Sequence, residues 1–224
     1  MIDLLVPDVV ATAWRSDDTE PVTLFPEEEA LLTRAVEVRR REFATVRLCA
    51  RLALGRIGVP ATPLTRGSRG EPRWPEGVAG SMTHCEGYRA AALARTTDVL
   101  SIGIDAEPAG PLPDGVLDVV SLPGERGHLT DLASHAPRLP WDRLLFSAKE
   151  SVFKTWYPLT RRELGFDEAE VEFTPGDRTA PHEGTFRARL LVPGPTADGT
   201  RYEGFTGRWL ARDGLVLTAI VLPR

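Results

Sequence analysis

The sequence predicts an α+β protein of two similar lobes, each a helix followed by strands. Three observations point there. A helical pattern over residues 26–57 leads into strand-like runs, a second helix at Trp141–Trp156 again precedes strands, and a Pro/Gly-rich connection, 108–115, lies between them. We divide the chain accordingly into residues 1–103 and 104–224, although no residue-level repeat accompanies the duplication. A chain of 224 residues buries roughly 70–75% of its unfolded surface, enough to fold without a disulfide or metal.

The elements follow in order. The apolar patch Ile2–Val10 reads as an edge strand. Pro26-Glu27-Glu28-Glu29 opens a helix, because proline suits the first turn and acids suit the positive end of the dipole. Leu32, Val36, Phe43, Val46, Ala50, Ala53 and Ile57 carry its apolar spacing, and Gly58 and Pro60 close it. Arg40, Arg47 and Arg51 fall near one stripe of that helix. Thr62–Gly80 reads as a loop, and Tyr88–Ala94 and Val99–Ile104 as strands about a turn at Thr96–Asp98. Val116–Leu122 and Glu125–Ser134 read as short helices, and Trp141–Trp156 as a longer one stopped before Pro158. Glu170–Phe173, Phe186–Val192, Gly207–Arg212 and Leu215–Leu222 read as strands, with Asp213-Gly214 a hairpin turn.

Composition excludes several classes. With 27 basic against 32 acidic residues the net charge is −5, the opposite of a nucleic-acid-binding balance. No apolar run approaches the 18 or so residues of a membrane span. The start Met1-Ile2-Asp3-Leu4 lacks the positive region of a signal peptide, and Cys49 and Cys85 are isolated, so the expected setting is the reduced cytoplasm. Of the 27 basic residues, 25 are Arg and two are Lys, Lys149 and Lys154, five apart in one segment. Lysine is a compact charge of tunable pKa, where arginine is a fork that stays protonated.

Three constellations could carry chemistry. In Leu100-Ser101-Ile102-Gly103-Ile104-Asp105-Ala106-Glu107, the alternation sends Leu100, Ile102 and Ile104 to a core and Asp105 and Glu107 together to the other face, about 6.5–7 Å apart at Cα. Gly103 leaves space beneath them. An Asp-x-Glu pair with oxygen ligands alone suits Mg²⁺ or Mn²⁺ rather than zinc. In Phe146-Ser147-Ala148-Lys149-Glu150-Ser151-Val152-Phe153-Lys154, Glu150 and Lys154 share a helix face. A third carboxylate and a lysine there complete a site for a cation and a phosphate. Ser81-Met82-Thr83-His84, with Arg66-Gly67-Ser68-Arg69-Gly70-Glu71-Pro72 upstream, offers hydroxyls, a histidine and arginines framed by glycines for a polyphosphate.

Gly103-Ile104-Asp105-Ala106-Glu107 and Phe146 through Lys154 resemble the two signature motifs of 4′-phosphopantetheinyl transferases. Ser81-Met82-Thr83-His84 and Arg69-Gly70-Glu71-Pro72 resemble that family's coenzyme A motifs. Arg39-Arg40-Arg41-Glu42-Phe43 through Arg47–Arg51 resembles its actinobacterial, siderophore-type branch. The resemblance implies a pseudo-dimer of two α+β lobes with the site in the cleft. It makes Asp105, Glu107 and Glu150 ligands of Mg²⁺, with Mn²⁺ a substitute, and gives Lys154 a role in proton transfer or charge on the diphosphate. Lys149 would contact phosphate. Arg39, Arg47, Arg66, Arg69 and His84 would hold coenzyme A, His84 at its 3′-phosphate, with Gly67, Ser68, Gly70, Glu71, Pro72, Ser81, Thr83 and Asp105 completing that site. Arg66 and Arg69 stand where relatives often carry Lys, and Ala106 stands where some carry a further polar ligand.

The implied reaction moves the phosphopantetheine arm of coenzyme A to a serine of an apo acyl or peptidyl carrier protein, releasing 3′,5′-ADP. The base is Glu150 directly or through a metal-bound water, and the sequence leaves both routes open. Carriers are acidic and this chain is at −5, so docking is expected to rest on a local apolar patch at Val116–Leu122 with Arg126 beside it. Two fused lobes favour a monomer. A coenzyme A-binding module without turnover would show a broken carboxylate or a missing lysine. A different Mg²⁺-dependent phosphoryl transferase would show a GxxxxGK[ST] loop. Neither feature is seen.

Overall fold

Alternating side chains along two strands explain the architecture, a helix–sheet–sheet–helix stack. In the computed structural model, which describes residues 1–177, 179–192 and 199–224, strands β1 (Ala11–Arg15), β2 (Val78–Cys85) and β3 (Tyr88–Arg95) form an antiparallel sheet in the order β1-β3-β2. Strands β4 (Val99–Pro108), β5 (Ala169–Pro175), β6 (Glu183–Leu190), β7 (Gly204–Arg212) and β8 (Leu215–Pro223) form a second one, ordered β4-β8-β7-β6-β5. Along β3, Ala91 and Leu93 face helix α2 (Glu37–Arg56), whereas Ala90, Ala92 and Ala94 face the other sheet. Along β8, Leu217 and Ala219 meet that same central layer, while Val216 and Ile220 turn to helix α5 (Trp141–Thr160). The lobes are therefore bonded through a shared apolar core, completed by Ile2, Leu5, Val6 and Val10.

Several expectations need correction. The patch Ile2–Val10 is not a strand: Ile2–Leu4 is a single 3₁₀ turn, and pairing starts at Ala11. The helix expected over 26–57 breaks into α1 (Pro26–Glu29), a 3₁₀ turn at Ala30–Leu32, and α2 beginning after the extended Val36. The arginine stripe fastens the pieces. Arg40 donates to the Leu32 carbonyl at 2.9 Å and to Glu29 at 2.6 Å, while Arg51 reaches the Thr23 carbonyl at 2.6 Å and pairs with buried Glu28. The loop 62–80 gives way to β2 at Val78, paired with β3 along its whole length. Pro158 omits one ladder bond in the last turn of α5 without ending it. The divide placed between residues 103 and 104 falls inside β4, which joins the second sheet from Val99 onward.

Helices α3 (Val116–Val120) and α4 (Pro123–His135) follow the connection as expected. Helix α5 sits on β4 and β8 through small and hydroxylated residues. Ser101 Oγ donates to the Thr155 carbonyl at 2.8 Å, and Thr218 Oγ1 lies 2.9 Å from Ser147 Oγ and 2.7 Å from Ser151 Oγ. A Cβ on Gly103 would stand 2.0 Å from the Ser151 carbonyl oxygen and 2.3 Å from Thr155 Oγ1. What occupies the space beneath the two carboxylates is α5 itself, not a ligand.

Candidate active site

A cleft of about 960 Å³ runs between the lobes. Its N-terminal wall comes from α2, the 66–74 loop and β2, and its opposite wall from α5. Arg39 and Arg47 line it because they lie eight apart on α2, two helical turns along one face. Phe43, between them, is the shelf on which the cations rest: the guanidinium carbons of Arg47 and Arg66 lie 3.4 and 5.4 Å from its ring centroid. Arg47 is 5% exposed and its Nε has no partner. Burial pulls its pKa down to about 10, which leaves it charged at neutral pH. A buried cation with a spare donor is a ready anion site.

His84 faces Arg39, whose Nη1 donates to Nε2. Loss of water around the ring, then the Arg39 charge, push His84 down to about 4. Arg39 is steadied by Glu42 at 3.3 Å, and Glu42 by the buried Arg89 at 3.4 Å. Ser68, Arg69, Gly70, Glu71, Pro72 and Ser81 also reach the cleft wall.

Some of these have duties other than ligand contact. Glu71 organises its loop: it accepts the Arg69 amide at 3.0 Å, and a Cβ on Gly67 would lie 1.9 Å from its carboxylate. Gly67 therefore makes room for Glu71 rather than for an anion, and it does not line the cleft. Arg69 and Glu71 also pair across the cleft mouth with Glu163 at 2.8 Å and Arg161 at 3.5 Å. Ser81 and Thr83, expected as phosphate hydroxyls, close the edge between the two sheets. Ser81 Oγ accepts the Ile104 amide and Thr83 Oγ1 the Ala106 amide, each at 3.1 Å, and Thr83 donates to Asp105 at 3.2 Å. That clasp fixes the strand carrying the carboxylates.

Glu150 and Lys154 stand on the α5 wall, with the tilted ring pair Phe153 and Tyr157 beside them. Lys154 Nζ binds Asp105 Oδ1 at 2.7 Å and the Ile104 carbonyl at 3.1 Å. Glu107 is held by Arg143 at 3.1 Å. Burial, then the Asp105 charge, raise the Glu107 carboxyl; burial also raises Glu150, partly offset by Lys154. Asp105 and Glu107 lie behind the wall rather than on it. Among the described residues, no three His, Cys, Asp or Glu side chains gather as a ready metal cluster. Two of the three expected carboxylates, Asp105 and Glu107, are paired with internal cations.

Lys149 departs from expectation most. It is 3% exposed and turns away from the cleft into the C-terminal lobe, where Nζ meets Glu125 at 2.8 Å and the Phe166 carbonyl at 2.6 Å. Burial lowers its pKa, against the pull of Glu125. Its place on α5, one residue before Glu150, puts it on a different face, and a buried ion pair is its role. Sequence reasoning missed Arg143, since nothing in spacing connects it to Glu107, 36 residues earlier. It also missed Trp74, Met82 and Tyr157 on the apolar part of the cleft; the alternation of β2 could have indicated Met82 and the i, i+4 pair Phe153–Tyr157 could have indicated Tyr157, whereas Trp74 sits in the loop before β2, where no periodicity marks it.

Comparison with known proteins agrees with this geometry. A family model described as the 4′-phosphopantetheinyl transferase N-terminal domain matches residues 27–94, and one described as the 4′-phosphopantetheinyl transferase superfamily matches residues 101–193. The chain is 59% identical over 225 residues to 4′-phosphopantetheinyl transferase Svp of Streptomyces mobaraensis, covering 99% of this chain and 89% of that protein. It is 51% identical to Npt of Nocardia iowensis, covering 98% and 99%, and 50% identical to PptT of Mycobacterium tuberculosis, covering 95% and 92%. The two matched stretches meet at the turn between β3 and β4, where the chain crosses from one sheet to the other. An arginine-lined cleft faced by a carboxylate–lysine helix, with likeness over nearly the full length, places this chain in the 4′-phosphopantetheinyl transferase family.

Proposed function

We propose that this chain transfers the 4′-phosphopantetheine arm of coenzyme A to a serine of apo acyl and peptidyl carrier proteins, releasing 3′,5′-ADP. The observation that carries the reading is the division of labour across one cleft: guanidinium groups on one wall, Glu150 and Lys154 on the other. The serine oxygen attacks the phosphorus bearing the pantetheine, and the bond to the adenosine-side phosphate breaks. Glu150 takes the serine proton at its carboxylate, and Lys154 offsets charge on the departing phosphate.

The residues also fit a divalent cation. Asp105 Oδ2 is buried without a hydrogen-bond partner, and Asp105 acts electrostatically on both Glu107 and Glu150. Asp105, Glu107 and Glu150 would hold Mg²⁺ or Mn²⁺, an oxygen-ligand ion that offsets diphosphate charge. Incubation with apo carrier domains, coenzyme A and Mg²⁺, followed by intact-mass measurement of the carrier, tests the assignment. Absence of the phosphopantetheine mass on fatty-acid, polyketide and peptide carriers alike would refute it.

Arg39, Arg47, Arg66 and His84 hold the nucleotide end, with the 3′-phosphate between Arg39 and His84. In the free chain loss of water and the Arg39 charge hold His84 below the ordinary imidazole range, and a bound phosphate, by favouring the imidazolium, raises its pKa. Proton uptake then strengthens binding as pH falls from 7.5 to 6. Coenzyme A affinity in His84→Gln should gain less over that interval than in the unaltered chain, while dephospho-coenzyme A affinity should stay flat in both. Calorimetric titration at each pH reads the difference, and identical slopes for the two chains would exclude His84 from the phosphate.

The carrier docks on α3, where Val119 is 74% exposed. Arg126 beside it is held in place by Ser121 at 3.1 and 3.2 Å and lies 3.9 Å from the exposed Asp118. Val119→Asp should raise KM for the carrier about tenfold, a loss of about 1.4 kcal/mol and so short of an interface hot spot, with coenzyme A affinity unchanged. A strong salt dependence of the unaltered KM would contradict apolar docking. We further read the protein as a cytoplasmic monomer without nucleic-acid or membrane partners, supported by two walls from one chain and a net charge of −5. Among the described residues, no helix is long and apolar enough to cross a membrane.

A further inference from the structure

Two cations built into the chain already occupy carboxylates that the proposed reaction assigns to a divalent ion. Lys154 Nζ lies 2.7 Å from Asp105 Oδ1 and is anchored by the Ile104 carbonyl at 3.1 Å. Arg143, in the first turn of α5, donates through Nη1 to Glu107 Oε2 at 3.1 Å. The same guanidinium donates through Nε to the Gly110 carbonyl at 3.1 Å and through Nη2 to the Pro111 carbonyl at 2.7 Å. Those two carbonyls fix the fork, so Arg143 is no loose surface partner; its side chain is 17% exposed and that of Glu107 22%. This is the sheltered, multiply bonded ion pair that differs from an exposed pair of negligible strength.

Three carboxylates set against two anchored cations leave a single negative charge around Asp105. A free dication gains little attraction there, and it meets Asp105 and Glu107 with one oxygen of each already held by an internal cation. Coenzyme A changes the balance, since its diphosphate brings a negative charge on each phosphate into the cleft where Lys154 stands.

We propose that Arg143 and Lys154 are positioning counter-ions that keep the Asp105, Glu107 and Glu150 set weak toward a free divalent ion, so that the ion and coenzyme A load together. This rests on the reading of those three carboxylates as its ligands. Arg143 extends the coupling to the chain that follows, because the carbonyls it holds belong to the connection leading to α3. Linkage requires that coenzyme A tighten the ion by the same factor as the ion tightens coenzyme A.

Mn²⁺ titration of the full chain, followed by electron paramagnetic resonance, tests this without reference to turnover. With saturating coenzyme A, and after subtracting Mn²⁺ bound by coenzyme A in free solution, Mn²⁺ affinity should rise on the order of tenfold to a hundredfold. The affinity of coenzyme A should rise equally when Mn²⁺ is added. Arg143→Met should bind Mn²⁺ about tenfold more tightly on its own and show a smaller coenzyme A factor, a coupling change typical of one removed charge. Arg143→Lys keeps the charge but cannot reach Glu107 and both carbonyls at once, so its factor should fall between, and it serves if the Met variant does not fold. Equal Mn²⁺ affinity with and without coenzyme A, or an unchanged factor in these variants, overturns the proposal. Asp105→Asn separates the two levels. Unaltered Mn²⁺ binding in that variant would remove the ligand assignment itself, whereas its loss beside a coenzyme A-independent affinity in the unaltered chain would refute only the coupling.

Discussion

Glu150→Gln should fold like the unaltered chain and lose about a hundredfold to ten-thousandfold in kcat, the range spanned by removing a general base. The substitution keeps shape and volume, and the groups that seat α5 are others: Ser147, Ser151 and Thr155 make its bonds to β4 and β8. What changes is the charge on the cleft wall, opposite the arginines and one turn from Lys154. Coenzyme A affinity measured without added metal should stay within about threefold, since the nucleotide end is held by Arg39, Arg47 and His84 on the opposite wall of the cleft. Release of 3′,5′-ADP, followed by chromatography, measures the rate. Turnover within a factor of ten of the unaltered chain would take Glu150 out of the chemistry.

The largest effect on stability should come from Gly103→Val. Any Cβ there lands 2.0 Å from the backbone oxygen of Ser151, and no rotamer can relieve a clash with main chain. Either α5 lifts off the sheet or β4 shifts, at about 3 kcal/mol or more, which for a chain of this size lowers Tm by roughly 6–12 °C. Because α5 carries Glu150 and Lys154, and β4 carries Asp105, the displaced helix should lose transfer along with stability. Gly110→Ala is the control, since a Cβ there meets nothing within 4 Å. A Gly103→Val melt within about 2 °C of the unaltered chain would mean that α5 does not rest on β4 in solution.

Both predictions depend on contacts that the sequence shows only in part. The alternation of Ile102 and Ile104 with Gly103 and Asp105 told which residues share a face, and the structure keeps that division. It could not say what faces Gly103. An open space and a packed helix leave the same mark, a missing side chain. The Asp-x-Glu and Lys-Glu motifs were legible because strand and helix periodicity fix neighbours within one element. Glu150 and Lys154, four apart on one helix, needed only that rule. Lys149 failed it by a single residue, since one step along α5 turns a side chain about 100° and into the lobe, where Glu125 waits.

The broken helix at Thr33–Val36 has the same origin. Apolar spacing continues through it, so periodicity alone reads one helix, but Arg40 and Arg51 bond back to the preceding segment and hold the bend from outside. Ser81 and Thr83 likewise look like anion-binding hydroxyls until β4 is laid beside them, whereupon its amides claim both oxygens.

The order of amino acids by itself determined the α+β class, six of the eight described strands, the family likeness, and which residue types could act on a phosphate. Those properties follow from short-range periodicity and from chemistry that each side chain carries wherever it sits. Only the tertiary structure decided that Lys149 serves the core, that Glu71 and Gly67 serve their loop, and that Arg143 grips Glu107. Such pairings join residues tens of positions apart, and their energy depends on distance and on the water excluded when two elements pack.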